Sequence, residues 1–129
     1  MDINKEVLMS KCITYYVQTD RINRLVNSFG AKLEKLTVSD KLALRAILSY
    51  WLFHVQAIDL GQYSLIYASE CVIHEYPKDC LATLREVIIH LEGINIAEAE
   101  GLIEALTSQL RWNDNTSHSH TNYLYLAAN

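Results

Sequence analysis

Residues 46–58 restrict the fold more than any other part of the chain: the run is apolar except for Ser49, His54 and Gln56. A bilayer crossing needs about 20 apolar residues, and Arg45 and Asp59 close this run on either side. It therefore reads as a helix packed on several sides within a protein core. Ser39-Asp40 is its start signal and Leu60-Gly61 its end, because glycine accepts the left-handed conformation that commonly closes a helix. A second largely apolar helix follows through Leu65, Ile66, Ala68, Val72 and Ile73, and stops at Tyr76-Pro77. Two successive central helices, at about 40-59 and 62-75, demand amphipathic helices around them.

The rest of the sequence supplies these. Ile3, Val7, Met9, Ile13, Tyr16 and Val17 form one apolar stripe; Ile22, Leu25, Val26, Phe29, Leu33 and Leu36 form another. The stripes are out of phase across residues 18–20, where Thr19 or Asp20 can cap a new helix. Gly30 either sits within that helix or ends it. From Lys78 to Glu92, Leu81, Leu84, Val87, Ile88 and Leu91 line one face. Gly93 ends this helix and Asn95 caps the last long one, whose stripe is Ile96, Ala99, Leu102, Ile103, Leu106 and Leu110. Residues 113-122 read as a polar loop before a short apolar segment, Tyr123 to Leu126. No β-branched alternating run carries hairpin chemistry. The expectation is an all-α, single-domain bundle of five or six helices spanning residues 1-129, a length that buries about two thirds of its extended surface.

The catalytic inventory is thin. Gly30, Gly61, Gly93 and Gly101 are isolated, so no phosphate-cradling loop can be built, and no nucleophile elbow exists. His74-Glu75 resembles the start of a zinc-protease helix, but Tyr76-Pro77-Lys78 follows and the second histidine is missing. Cys71 and His74 share a helix face and Cys80 and His90 are further candidate ligands, yet the spacing fits no standard zinc module. Three cysteines without a C-x-x-C pair point to a reducing, cytoplasmic compartment. The expectation is a non-enzymatic protein without metal or cofactor, and without a membrane partner.

Charge says more. Residues 1–45 carry eight basic and five acidic side chains, a net +3, whereas the remainder carries three against ten, a net −7. Between Glu86 and Leu110 there are five glutamates and no lysine or arginine. Glu100 and Glu104 form a like-charge i, i+4 pair, a spacing that costs a few tenths of a kcal/mol on a helix surface. Ile89 is out of register with its helix's core face and lies on the side of Glu86 and His90. Glu86, Ile89, His90, Glu92, Glu98, Glu100 and Glu104 are thus the candidate partner-binding residues; the plain alternative is a solvated acidic face with Ile89 covered by the C-terminal tail. Eight tyrosines add a weaker interface signal, since tyrosine is enriched in interfaces.

In size, helicity, the Glu86–Glu104 acidic tract and tyrosine content, the chain resembles bacterial immunity proteins of the small acidic all-helical kind. The resemblance implies one-to-one binding of a basic toxin domain, most simply a cationic nuclease, over its active cleft or beside it. An acidic surface suits that task because it speeds encounter with a basic partner. A second class is a nucleic-acid-linked regulator using Arg21, Arg24, Lys32 and Lys35 for phosphate contacts. A third is a small phage or plasmid accessory protein that forms a homodimer through residues 42–73.

Overall fold

The computed structural model describes residues 11–58, 63–74 and 81–112. They form six α-helices: α1 (Ile13–Tyr16), α2 (Asp20–Phe29), α3 (Val38–Phe53), α4 (Leu65–Ile73), α5 (Leu81–His90) and α6 (Ile96–Trp112). One π-helical turn, His54–Ile58, extends α3. No strand occurs among the described residues, and the helices pack on one shared core, as the all-α bundle reading requires.

The two apolar segments are central. α3 contributes Leu44, Ile47, Leu48, Trp51 and Leu52 to the core, Val55 extends this face from the π turn, and α4 adds Leu65, Ala68 and Ile73. α3 packs against α4, α5 and α6, so its near-uniform apolarity has a structural cause: little of its circumference is left for solvent. α6 lies antiparallel to α3, since Trp51 and Val55 near the end of α3 meet Ile96, while Val38 and Leu42 at its start meet Leu110.

Local chemistry fixes the helix ends. The out-of-phase stripes do break where expected: α1 ends at Tyr16, and Thr19 Oγ1 caps α2 by accepting from the Ile22 N–H at 3.2 Å. α3 begins earlier than the Ser39-Asp40 signal suggests. Thr37 is the cap, and its hydroxyl accepts from the Asp40 N–H while the Asp40 carboxylate accepts from the Thr37 N–H, both at 3.0 Å. Asp40 is the third residue of the helix and completes a capping box. α2 stops at Phe29, so Leu33 and Leu36 are not helical. They still reach the core through a turn in which Leu33 takes φ 55° and is fully buried. That left-handed backbone is unfavourable for leucine, and burial of the side chain offsets it. The first stripe is helical only over Ile13–Tyr16 among the described residues. The stops at Leu60-Gly61 and Tyr76-Pro77, the 113-122 loop and the Tyr123–Leu126 segment lie outside the described residues.

Candidate binding surface

α5 and α6 are joined by a tight turn in which Gly93 takes φ 83°, a conformation that favours glycine. Asn95 then caps α6 as expected: its Oδ1 accepts from the Glu98 N–H at 2.7 Å. The Glu98 carboxylate answers by accepting from the Asn95 N–H at 3.0 Å. It also accepts from the Thr19 hydroxyl at 2.6 Å and from the Arg21 guanidinium at 2.8 Å. Arg21 donates in addition to the Glu92 carbonyl at 3.1 Å. One carboxylate therefore ties the start of α6 to the cap of α2. Burial by itself would raise the Glu98 pKa; the bonds from Thr19 and Asn95 and the charge and bond of Arg21 outweigh it, so the net shift is downward.

Glu98 consequently leaves the set of candidate partner-binding acids. It is buried and paired, whereas Glu100 and Glu104 are exposed on the opposite side of the same helix. Glu86 and Glu92 are exposed as well, and none of these four forms an ion pair among the described residues. Ile89 is 67% exposed, and the C-terminal tail that the plain alternative lays over it lies outside the described residues. His90 is half-buried and fastened: Nε2 is 3.0 Å from Ser28 Oγ, Nδ1 is 3.0 Å from the Glu86 carbonyl, and the ring meets Phe29 edge-on. It anchors α5 to α2 more than it faces a partner. α5 packs on α2, α3 and α4, and α6 on α3 and α1, so Glu86 and Ile89 form one patch and Glu100 and Glu104 another.

Sequence reasoning missed the cleft beside the second patch. An open cavity of about 720 Å³ is lined by Trp51, Val55, Tyr63, Ile94, Asn95, Ile96 and Ala97. A smaller one of about 310 Å³ shares Trp51, Tyr63 and Ile94 and adds Glu92 and Gly93. The indole N–H of Trp51 donates to the Tyr63 carbonyl at 2.9 Å, so the wall presents no unsatisfied donor there. At the far end of the α3–α6 contact, Val38, Leu42, Arg45, Thr107, Leu110 and Arg111 line a cavity of about 350 Å³. The available sequence signal was the pair Gly93 and Asn95, which marks a tight turn that any apolar neighbour must border.

The aromatic residues cluster at the end of α3. His54 stacks on Tyr63 with ring centroids 3.8 Å apart, and Tyr50, Phe53 and Tyr67 complete the group. Burial, a hydrogen bond with Cys71 and the neighbouring Tyr50 push the Tyr63 pKa up to about 12; bonding with Cys71 leads the upward shift of Tyr50. Cys71 thus faces tyrosines while His90 faces Ser28 and Phe29, and Cys80 lies outside the described residues. Among the described residues no three His, Cys, Asp or Glu side chains are placed to hold a metal.

The basic half loses two of its cations to the interior. Arg21 is committed to Glu98 and the Glu92 carbonyl. Lys41 is buried, its Nζ donating to the Lys32 carbonyl at 3.2 Å, and burial lowers its pKa against the raising effect of Glu34. Arg24 and Lys35 remain exposed. No described helix is long and apolar enough to cross a membrane. No family model matches the chain, and searches of the curated proteins and of the solved structures return no significant match.

Proposed function

We propose that this all-α chain is a non-enzymatic binding protein that captures a basic protein partner on its acidic C-terminal half, in the manner of an immunity protein that neutralises a cationic nuclease-type toxin in the bacterial cytoplasm. The observation that carries the reading is the exposed carboxylate set Glu86, Glu92, Glu100 and Glu104, which forms no ion pair among the described residues. A surface shaped by stability alone would interleave cations with these acids, because opposite charges at i, i+4 stabilise and like charges destabilise. Unpaired acids raise the encounter rate with a basic partner and reject acidic ones. The nucleic-acid alternative is weakened because Arg21, one of its four phosphate-contacting residues, is already paired inside the fold.

The test is a binding titration of the purified chain with the basic domain encoded by the adjacent upstream reading frame. Tight one-to-one binding that inhibits that domain's activity, with an association rate that falls steeply as salt rises, supports the reading. Binding of a DNA or RNA duplex with comparable affinity, and none of the basic domain, overturns it.

A further inference from the structure

The cleft around Trp51 and the acids near it point to a more specific occupant than a basic surface in general. Its lining is mostly apolar; Asn95 has its side-chain oxygen already used to cap α6, and Tyr63 brings a phenol. Its volume of about 720 Å³ falls within the 300–1,000 Å³ typical of a built ligand cleft. Ile96 on its wall is 43% exposed, a large apolar side chain held open at the rim. Counting along α6, Ala97, Glu100 and Glu104 lie at i, i+3 and i+7 and so share one face that runs from the cleft along the helix. Glu92 stands on the other side, in the wall of the adjoining cavity. Apolar surface is thus bracketed by carboxylates, and the nearby Arg21 is neutralised by Glu98.

We infer that this cleft is the docking site for an amphipathic basic segment of a protein partner, which inserts apolar anchors between Trp51 and Ile96 and sets lysines or arginines against Glu92, Glu100 and Glu104. The inference rests on the basic-partner reading above and names the part of the surface that does the holding. A helix with apolar residues at i, i+3, i+4 and i+7 fits such a groove. The anchors supply affinity by leaving water against the apolar wall of the open cleft, and the acids supply orientation and speed.

The experiment uses the full chain carrying Trp112→Phe, so that Trp51 alone reports by its fluorescence. The probe is a synthetic leucine–lysine peptide of about 15 residues with leucines at the groove-fitting spacing. Controls are a peptide of the same composition with scrambled order and a leucine–glutamate peptide of the same pattern. The patterned basic peptide should change the intensity of Trp51 emission, whose indole is already buried, and bind at least about tenfold more tightly than either control. Ala97→Gln, which fills the cleft from an exposed position without touching the core, should weaken binding by a similar factor. Glu100→Gln with Glu104→Gln should weaken it at low salt only. Equal binding of the scrambled peptide, or no effect of Ala97→Gln, overturns the inference, as does displacement of the probe by a peptide of this chain's residues 121–129. The two readings fail separately. If Ala97→Gln still captures the basic domain at wild-type affinity, the cleft is lost and the acidic surface stands; if the peptide binds but the domain does not, the reverse holds.

Discussion

Glu98→Gln is the substitution that most directly probes how α6 is held. In the native fold its carboxylate accepts from Arg21, Thr19 and the Asn95 N–H, and Arg21 retains only partial contact with water, at 24% side-chain exposure. The amide keeps the shape and one acceptor oxygen but removes the charge. Hydrogen bonds to a charged group contribute about 1.5–3 kcal/mol and neutral ones about 1, so weakening the bonds from Arg21 and the cap gives a loss of about 1–3 kcal/mol. Arg21's residual hydration keeps the figure below the about 3–5 kcal/mol of breaking a fully buried pair. Glu98→Ala also surrenders its half of the capping box and should cost about 1 kcal/mol more.

The pH dependence carries the sharper test. The folded-state pKa of Glu98 lies below its ordinary value of 4.5, so on acidification the unfolded chain takes up this proton first. The stabilisation is therefore complete above that ordinary value and disappears as pH falls through the lowered folded value. Urea unfolding of wild type and Glu98→Gln from about pH 7 to about pH 2.5, at constant m, should show a gap that closes in the acid range. Subtracting the variant removes the titration of the other carboxylates. A gap under about 0.5 kcal/mol at neutral pH, the range of surface changes, would refute the buried-pair argument; so would one that stays constant through the acid range.

Further outcomes follow from the packing and the surface. Leu52→Ala should cost about 2–5 kcal/mol, because Leu52 is 7% exposed on the central helix; chemical denaturation checks it. A Cβ on Gly101 would come within 2.6 Å of Val17 Cβ, so Gly101→Ala should destabilise by about 1–3 kcal/mol despite its better helix propensity, and Val17→Gly, which removes the clashing Cβ, should lessen that loss in a double-mutant cycle. Glu100→Gln with Glu104→Gln should leave the free protein as stable or more stable by tenths of a kcal/mol, while stopped-flow association with a basic partner slows at low salt and converges with wild type at high salt. Chelator and reductant together should leave the thermal midpoint unchanged, since among the described residues Cys12 and Cys71 are free and no three His, Cys, Asp or Glu side chains are placed to hold a metal.

Helix existence was legible wherever large apolar residues recur at helical spacing, as in α3, α5 and α6, and so was the Asn95 cap. Three features were not. Leu33 and Leu36 continue the α2 stripe in sequence although a turn delivers them to the core, because a buried turn can imitate the helical period. The π turn at His54–Ile58 has no residue signature, since the apolar run passes through it unbroken. The third is the buried face of α6, formed by Glu98, Ala99, Gly101, Leu102, Ala105, Leu106 and Gln109. It is rotated by about 80° from the stripe of large apolar residues, at 100° per residue. Small residues at Gly101 and Ala105 let the helix approach closely, and a count of bulky side chains misses them. That rotation leaves Ile96 at the rim of the Trp51 cleft, which is why the cleft could not be read from hydrophobicity alone.

Three glutamates within seven residues of α6 illustrate why the acidic tract had to be resolved by angle. Glu98 falls on the buried face and is spent on architecture; Glu100 and Glu104 fall on the far side, where no described helix packs. The internal pair removes one cation from residues 1–45 and one anion from the remainder, leaving formal charges of +2 and −6. The division of charge between the two halves therefore survives the folding that might have cancelled it. On the proposed reading, a basic partner approaching from solution meets the exposed acids Glu92, Glu100 and Glu104 as a negative pole before any apolar anchor is buried. Moving that pole is the corresponding test. Replacing Glu100 and Glu104 by lysine, with Glu98 intact, should abolish the low-salt acceleration of association while the α2–α6 junction and the unfolding midpoint hold. If association stays fast with the pole reversed, surface charge does not guide the encounter.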